Sequence, residues 1–304
     1  MELLTRIRSC AAVALGAASA LAVLGGCDML YDYRPLGAVE ELVAVHAILV
    51  EGHDTAAVLV TRVDADGSSW PPVSPLAGAT VRVVGGSSSI VLPPAASEAA
   101  CVASEPLPFP GAWDPDLTAG CYAASVPGGI AAGARYEIEV ALPDGGTVQG
   151  ATTIPRVPAL FEPAPGAELD VGTPDASGVP EPFVARWSAV APGRRAEIAL
   201  QADAPGCVAM LRIGTDASTN FIDVTGADSA VLRTGLVACS GPAPAQMSAR
   251  LVLTVYDAHY TDYADAMAGD RPVPRERAAA GVQGAAGVFG SAVRASVPVV
   301  LVRR

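Results

Sequence analysis

The chain, 304 residues long, reads as an all-β protein. Three observations predict that class. Short apolar or alternating runs follow one another from residue 40 onward; Gly, Pro and Asp separate them; and the period of a helix is almost absent. Regular short strands with turn signals between them are how β-sandwiches read in sequence. The length that remains after a leader of 26 residues exceeds one ordinary domain and suits two. Residues 38–156 are therefore expected to form an N-terminal sandwich and residues 157–304 a C-terminal one.

The first half offers seven strands: "LVAVHAILV" (42–50), "AAVLVTRV" (56–63), "ATVRVV" (79–84), "SSIVL" (88–92), "CYAASV" (121–126), "ARYEIEVAL" (134–142) and "GTVQGATTI" (146–154). In the sixth, Tyr136, Ile138 and Val140 alternate with Arg135, Glu137 and Glu139, the period of a strand that is wet on one face. "PDGG" (143–146) then supplies a hairpin turn. In "VDADGSS" (63–69), Asp66-Gly67 reads as a turn. Asp64, Asp66 and Gly67 match only part of a calcium loop, because a third Asp or Asn and the distal Glu are missing. "VVGGSSS" (83–89) reads as a turn as well, since a phosphate loop needs a following helix. Between Cys101 and Cys121 the prolines at 106, 108, 110 and 115 argue against a central strand and for a long surface loop. Its Phe109 and Trp113 either pack back on the sandwich or project as a recognition tip.

"IPRVP" (154–158) marks the change of domain. The segment 162–182 has five prolines and five acids but no base, the composition of a mobile, solvated loop. Strands resume with "FVARWSA" (183–189), "RRAEIALQA" (194–202), "CVAMLRI" (207–213), "NFIDVT" (220–225), "AVLRTGLVA" (230–238), "ARLVLTVYD" (249–257) and "ASVPVVLVR" (295–303). One helix interrupts them at residues 258–268, where Tyr260, Tyr263 and Met267 share a face and Asp262 and Asp265 lie away from it. An early strand with Trp187, an alternating strand after it and a late "LVLTVYD" resemble the fibronectin type III pattern. The expected architecture is thus two tandem β-sandwich domains, immunoglobulin/fibronectin type III-like, with one short helix in the second.

The amino end is of another kind. Arg6 and Arg8 precede an apolar run from Ala11 to Leu24, and then come Gly25, Gly26 and Cys27, the layout of a signal peptide. A run of 14 residues is shorter than the roughly 20 that a membrane-spanning helix needs. Leu24-Gly25-Gly26-Cys27 resembles the bacterial lipobox. That resemblance implies removal of residues 1–26 and attachment of acyl chains such as palmitate to Cys27, with residues 27–37 as a tether. Several chains, each CH₂ contributing about 0.8 kcal/mol of burial, hold a protein to membrane lipid far more firmly than one. Asp28 bears on sorting, but bacterial groups read that position differently. The outer membrane, on its periplasmic or cell-surface side, and retention at the inner membrane both stay open.

Without residues 1–26 the chain has 17 basic and 30 acidic residues, a formal charge of 17 − 30 = −13. Nucleic acid is therefore not an expected partner. Loss of Cys10 and acylation of Cys27 leave Cys101, Cys121, Cys207 and Cys239, an even number that favours disulfides in an exported chain. Three pairings are possible. The two-domain division favours Cys101 with Cys121 and Cys207 with Cys239. A zinc site is disfavoured, because no two cysteines have C-x-x-C spacing and no His lies near them.

Several of these segments occur together in one pattern: a lipobox Cys, "LVAVHAILVEG" (42–52), "PLAGATVRV" (75–83), "YEIEVALPDGGTVQGATTIP" (136–155), a Tyr-bearing helical segment and "GVQGAAGVFGSA" (281–292). Together they resemble an uncharacterised family of bacterial surface lipoproteins, common in Bacteroidetes, with a domain of unknown function. The resemblance brings no catalytic residues. Members are often encoded beside TonB-dependent outer-membrane receptors, which implies a role in substrate capture at the cell surface.

Catalytic chemistry finds little in the sequence. Of the three histidines, His46 lies in an apolar strand, His53 in the turn "EGHD" and His259 at the start of the helix; the latter two are expected to be solvated. None accompanies a G-x-S-x-G turn or an H-E-x-x-H helix. The expectation is a non-enzymatic, lipid-anchored binding or accessory protein of the cell envelope, without metal or cofactor, whose loops contact an outer-membrane receptor. A structural or adhesion spacer is the alternative, and a hydrolase assembled only in three dimensions is the third.

Overall fold

The computed structural model describes residues 42–63, 73–85, 88–97, 99–102, 117–171, 180–213, 218–242, 244–267 and 279–303. In chain order its first half supplies β1 (Leu42–Val50), β2 (Thr55–Val63), β3 (Val73–Pro75), β4 (Thr80–Gly85), β5 (Ser88–Leu92), β6 (Cys121–Ser125), β7 (Arg135–Ala141) and β8 (Thr147–Thr153). A one-turn helix α1 (Ala99–Val102) and a 3₁₀ turn (Thr118–Gly120) lie between β5 and β6. The second half supplies β9 (Leu160–Glu162), β10 (Ala167–Asp170), β11 (Phe183–Trp187), β12 (Ala196–Ala202), β13 (Cys207–Arg212), β14 (Phe221–Asp223), β15 (Ser229–Cys239) and β16 (Gln246–Tyr256). Helix α2 (Ala258–Met267) follows, then β17 (Ala279–Ala280), β18 (Val282–Gln283) and β19 (Ala286–Val302).

The alternating runs become strands because burying every second side chain repays the cost of ordering the backbone. In β7, Tyr136, Ile138 and Val140 are buried and the residues between them are exposed. The turn after β7 closes through the Asp144 carboxylate, which accepts from the Gly146 N–H at 3.0 Å. The helix starts at Asp257, whose Oδ1 accepts from the Tyr260 N–H at 2.9 Å, a side-chain N-cap.

The strands form three sheets. A ten-stranded sheet runs β14-β12-β16-β19-β1-β2-β3, with β10 and β17 added on β19 and β6 added on β2. A five-stranded sheet runs β18-β8-β7-β4-β5, and a four-stranded sheet runs β13-β15-β11-β9. The apolar faces of all three meet in one core that includes Val45, Val58, Ile138, Val148, Trp187, Ile198, Leu232, Leu251 and Phe289. The opposite face of β1 and β19 is covered by α2 through Ile48, Val288, Tyr256, Tyr260 and Tyr263. That of β2 is covered by the segment holding Cys101, Leu117 and Cys121.

Strand pairing crosses the expected boundary at residue 156. β1 pairs in parallel with β19 from Ala44↔Ala286 to Val50↔Ala292, while β16 pairs antiparallel with the rest of β19, from Tyr256↔Ala292 to Gln246↔Val302. A single strand of 17 residues, about 55 Å at roughly 3.3 Å per residue, thus serves strands from both halves of the chain. Residues 41–304 form one compact unit. Two-residue β18 goes further: it pairs Val282↔Gly150 and Gln283↔Gln149 at the edge of the five-stranded sheet, otherwise built from the first half.

The expectation of a solvated loop over 162–182 is corrected in part. Ala167–Asp170 is β10, parallel to the end of β19, and Leu169 and Val171 are buried at 4% exposure each. Proline and acid content outweighed two well-spaced apolar side chains in the reading of that segment. Residues 172–179 of it lie outside the described residues. Pro298 sits within β19 without breaking it. Its carbonyl accepts from the Gly166 N–H at 2.8 Å, so its nitrogen faces the edge where β10 has not yet begun to pair.

Candidate functional site

Strands β4, β7, β8 and β18 and helix α2 line a cleft of about 530 Å³. Its floor is the outward face of β7, β8 and β18. Because the register is Glu139↔Gln149 and Gln149↔Gln283, these three side chains stand in one row across three strands. Directly opposed residues have Cβ atoms roughly 4.5–5.5 Å apart, so the row presents a carboxylate and two carboxamides over about 10 Å. None of the three side chains has a hydrogen-bond partner among the described residues. Arg135 and Glu137 also line the cleft, but they engage each other: Nε and Nη2 of Arg135 donate to one carboxylate oxygen at 3.2 and 3.1 Å. Both are more than half exposed, so that pair contributes at most about 1 kcal/mol. Val84, Ala151 and Val282 supply aliphatic surface beside the polar row.

His259 of α2 forms a wall. Its Nδ1 lies 3.2 Å from the Phe289 carbonyl and 3.8 Å from Asp257 Oδ2. Both neighbours are acceptors, so Nδ1 donates toward them and the far side of the ring is left for the cleft. His259, expected to be solvated, has its ring anchored at Nδ1 and 38% of the side chain exposed. Gly281 makes this possible. It has φ +71°, and a Cβ there would lie 2.4 Å from His259 Nδ1.

Behind His259 is a closed polar cluster. Asp257, 5% exposed, receives the Thr152 hydroxyl on Oδ2, and Ser291 Oγ lies 3.2 Å from the same oxygen and 2.9 Å from Thr152 Oγ1. With the Tyr260 N–H on Oδ1, the carboxylate is held by three donors, and β8, β19 and α2 are tied together. The cluster contains Ser, His and Asp but is not a nucleophile–base pair. Ser291 is fully buried and sits on the carboxylate, not on the imidazole.

A second network ties α2 to β12. Glu197 accepts from Arg195 Nε at 2.8 Å and from the Tyr256 hydroxyl at 3.0 Å, and Tyr256 stacks on Tyr260 with ring centres 4.2 Å apart. Burial first, and then the Glu197 charge, raise the Tyr256 and Tyr260 hydroxyls above the usual tyrosine range. Burial alone pushes Tyr263 up to about 12. His46 is buried in β1, edge-on to Tyr263 at 5.8 Å, and burial lowers it from 6.5 to about 4.

The four cysteines form the disulfides Cys101–Cys121 and Cys207–Cys239. The first is buried under β2; the second bridges two directly paired residues of β13 and β15. His53 lies half-buried in the turn between β1 and β2, where its carbonyl accepts from the Ile130 N–H. Cys27, Phe109, Trp113 and the residues 64–69 weighed for calcium lie outside the described residues. Among the described residues no three His, Cys, Asp or Glu side chains are grouped to hold a metal ion, and no helix is long and apolar enough to cross a membrane. The row Glu139, Gln149, Gln283 was not singled out from sequence. Alternation in "RYEIEV" showed Glu139 facing outward, but nothing local brings Gln283 to Gln149 from over a hundred residues away.

No family model matches the chain, and no curated protein matches it in sequence. Among solved structures it is similar to a cycloalternan-degrading enzyme from Trueperella pyogenes in complex with a covalent intermediate, at 14% identity and a TM-score of 0.21, over 82% of this chain. The chain spans 33% of that enzyme's length, and a likeness of this degree carries no argument about fold or chemistry.

Proposed function

We propose that the chain is an exported binding or accessory protein of the cell envelope, without enzymatic activity, held to membrane lipid through acylated Cys27. Two disulfides within the described residues support export, since such bonds persist in oxidising compartments. The observation that carries the binding reading is the cleft beside β7, β8 and β18: it is open, and its row of polar side chains is unengaged. The finer fold is a pair of β-sandwiches of the immunoglobulin or fibronectin type III kind that share β19, a reading supported by the predominance of strand in three sheets. Residues 1–26 act as the leader, and a TonB-dependent outer-membrane transporter is the partner the resemblance points to.

Labelling with a palmitate analogue, followed by pull-down of the intact chain from solubilised envelope, tests both parts. The expected result is a labelled chain lacking residues 1–26 that brings an outer-membrane transporter with it. A labelled chain with no partner would favour a spacer. One feature already supports that second reading: β19 runs without a break from the β1 partner region to the β10 partner region, a suitable strut between the two ends of the sheet.

A further inference from the structure

We infer that the cleft beside β7, β8 and β18 binds a neutral polyhydroxylated ligand, a saccharide, through Glu139, Gln149, Gln283 and His259. This rests on the binding-protein reading and adds the chemical class of the ligand.

The argument is one of matching groups. A pyranose ring offers adjacent hydroxyls that each donate and accept, with aliphatic C–H surface between them. The floor of the cleft offers planar groups at a similar spacing: one carboxylate that only accepts, and two carboxamides that both donate and accept. His259 adds a ring nitrogen, Nε2, with the ring oriented by the contact of Nδ1 with the Phe289 carbonyl. Val84, 37% exposed, and Ala151 adjoin this row and offer apolar contact for C–H faces. The row stands on paired strands, so its spacing is set before a ligand arrives and little ordering cost remains.

The other ligand classes fit less well. An anion would need a free cation: Arg135 is already engaged by Glu137, and Arg82 stands directly opposite the Glu139 carboxylate in the register of β4 and β7. The chain as a whole is acidic as well. A metal ion would need a cluster of ligands that the described residues do not form. A polyamine would meet the Glu139 carboxylate with the Arg82 guanidinium opposite it in the register, beside the two carboxamides.

The test uses the full-length chain in detergent, with saturation-transfer NMR and calorimetry against maltose, cellobiose, lactose and mannobiose, and with dextran and mannan to separate free sugars from polymer-borne ones. Spermidine and inorganic phosphate serve as the charged comparators. At least one of the sugars or polymers is expected to bind, and Gln149→Ala and Glu139→Ala are each expected to weaken it about tenfold or more. Gln201→Ala, on the exposed face of distant β12, is expected to leave affinity unchanged. Failure of every sugar and polymer to bind a folded chain would overturn the inference. So would binding that survives the Glu139→Ala/Gln149→Ala double variant, or binding of spermidine or phosphate in place of sugar. A chain that captures a transporter but no saccharide loses only the ligand class. One that binds saccharide but carries no acyl group loses only the tether.

Discussion

The two halves of β19 are one strand built to two different rules. From Ala286 to Val293 every residue is buried, whereas from Arg294 to Val302 burial alternates. The first half lies between layers, with the five-stranded sheet on one side and α2 on the other, and it is made of Gly, Ala, Ser, Val and Phe. The second half has one covered face, shown by Ala295, Val297, Val299 and Leu301, and sets Ser296 and Pro298 toward solvent. A strand covered on both faces has no reason to alternate, and close approach of its neighbours selects small residues.

That contrast can be broken most severely at Gly287. It has φ +103°, and a Cβ there would lie 2.1 Å from the Val45 carbonyl oxygen in β1. Gly287→Ala should cost more than about 3 kcal/mol, seen as a lower denaturant midpoint or as failure to fold. Next comes a matched pair. Phe289→Ala empties a fully buried site between layers and should cost about 3–5 kcal/mol, while Leu301→Ala in the one-sided half should cost about 2–4 kcal/mol. Urea titrations of the two variants sharpen the comparison, and equal losses would argue that the layers contribute alike.

The third effect depends on pH. His46 stands opposite Val288 in the buried half, and burial lowers it from 6.5 to about 4. Above pH 6.5 it is neutral whether the chain is folded or not, and its contribution is constant. As pH falls from 6.5 toward 4, the unfolded chain takes up a proton that the folded chain refuses, so stability declines by up to ~3 kcal/mol. Below 4 this contribution is flat again. His46→Leu should remove that slope, measurable as the pH dependence of the urea midpoint. The smallest effect is expected at Ser296, exposed in the alternating half: Ser296→Ala should shift stability by no more than about 0.5 kcal/mol.

The same contrast explains what was legible in the sequence. Residues 295–303 were read as a strand because they alternate. Residues 286–292 enter only within the resemblance motif 281–292 and not as a strand, because burial on both faces removes the period on which such a reading depends. "RYEIEV" was transparent for the opposite reason, having one wet face. Short β3, β9, β17 and β18 had too few residues to show any period, and β10 was hidden by prolines and acids. The cysteine pairing was open to local reasoning because each bond joins residues within one half of the chain. The cleft was not. Its row joins β7 and β8, which are neighbours in sequence, to Gln283, which reaches them only through long-range pairing.

The shared strand also sets an order of assembly. β1 emerges from the ribosome early, but the strand that flanks it, the helix over its back and the two residues that cap β8 are all encoded late. Until those arrive, β1 presents an open hydrogen-bonding edge, and the apolar surface of Ile48 and Val50 lacks its cover. A chain of this kind completes its central sheet only when its last segments are released.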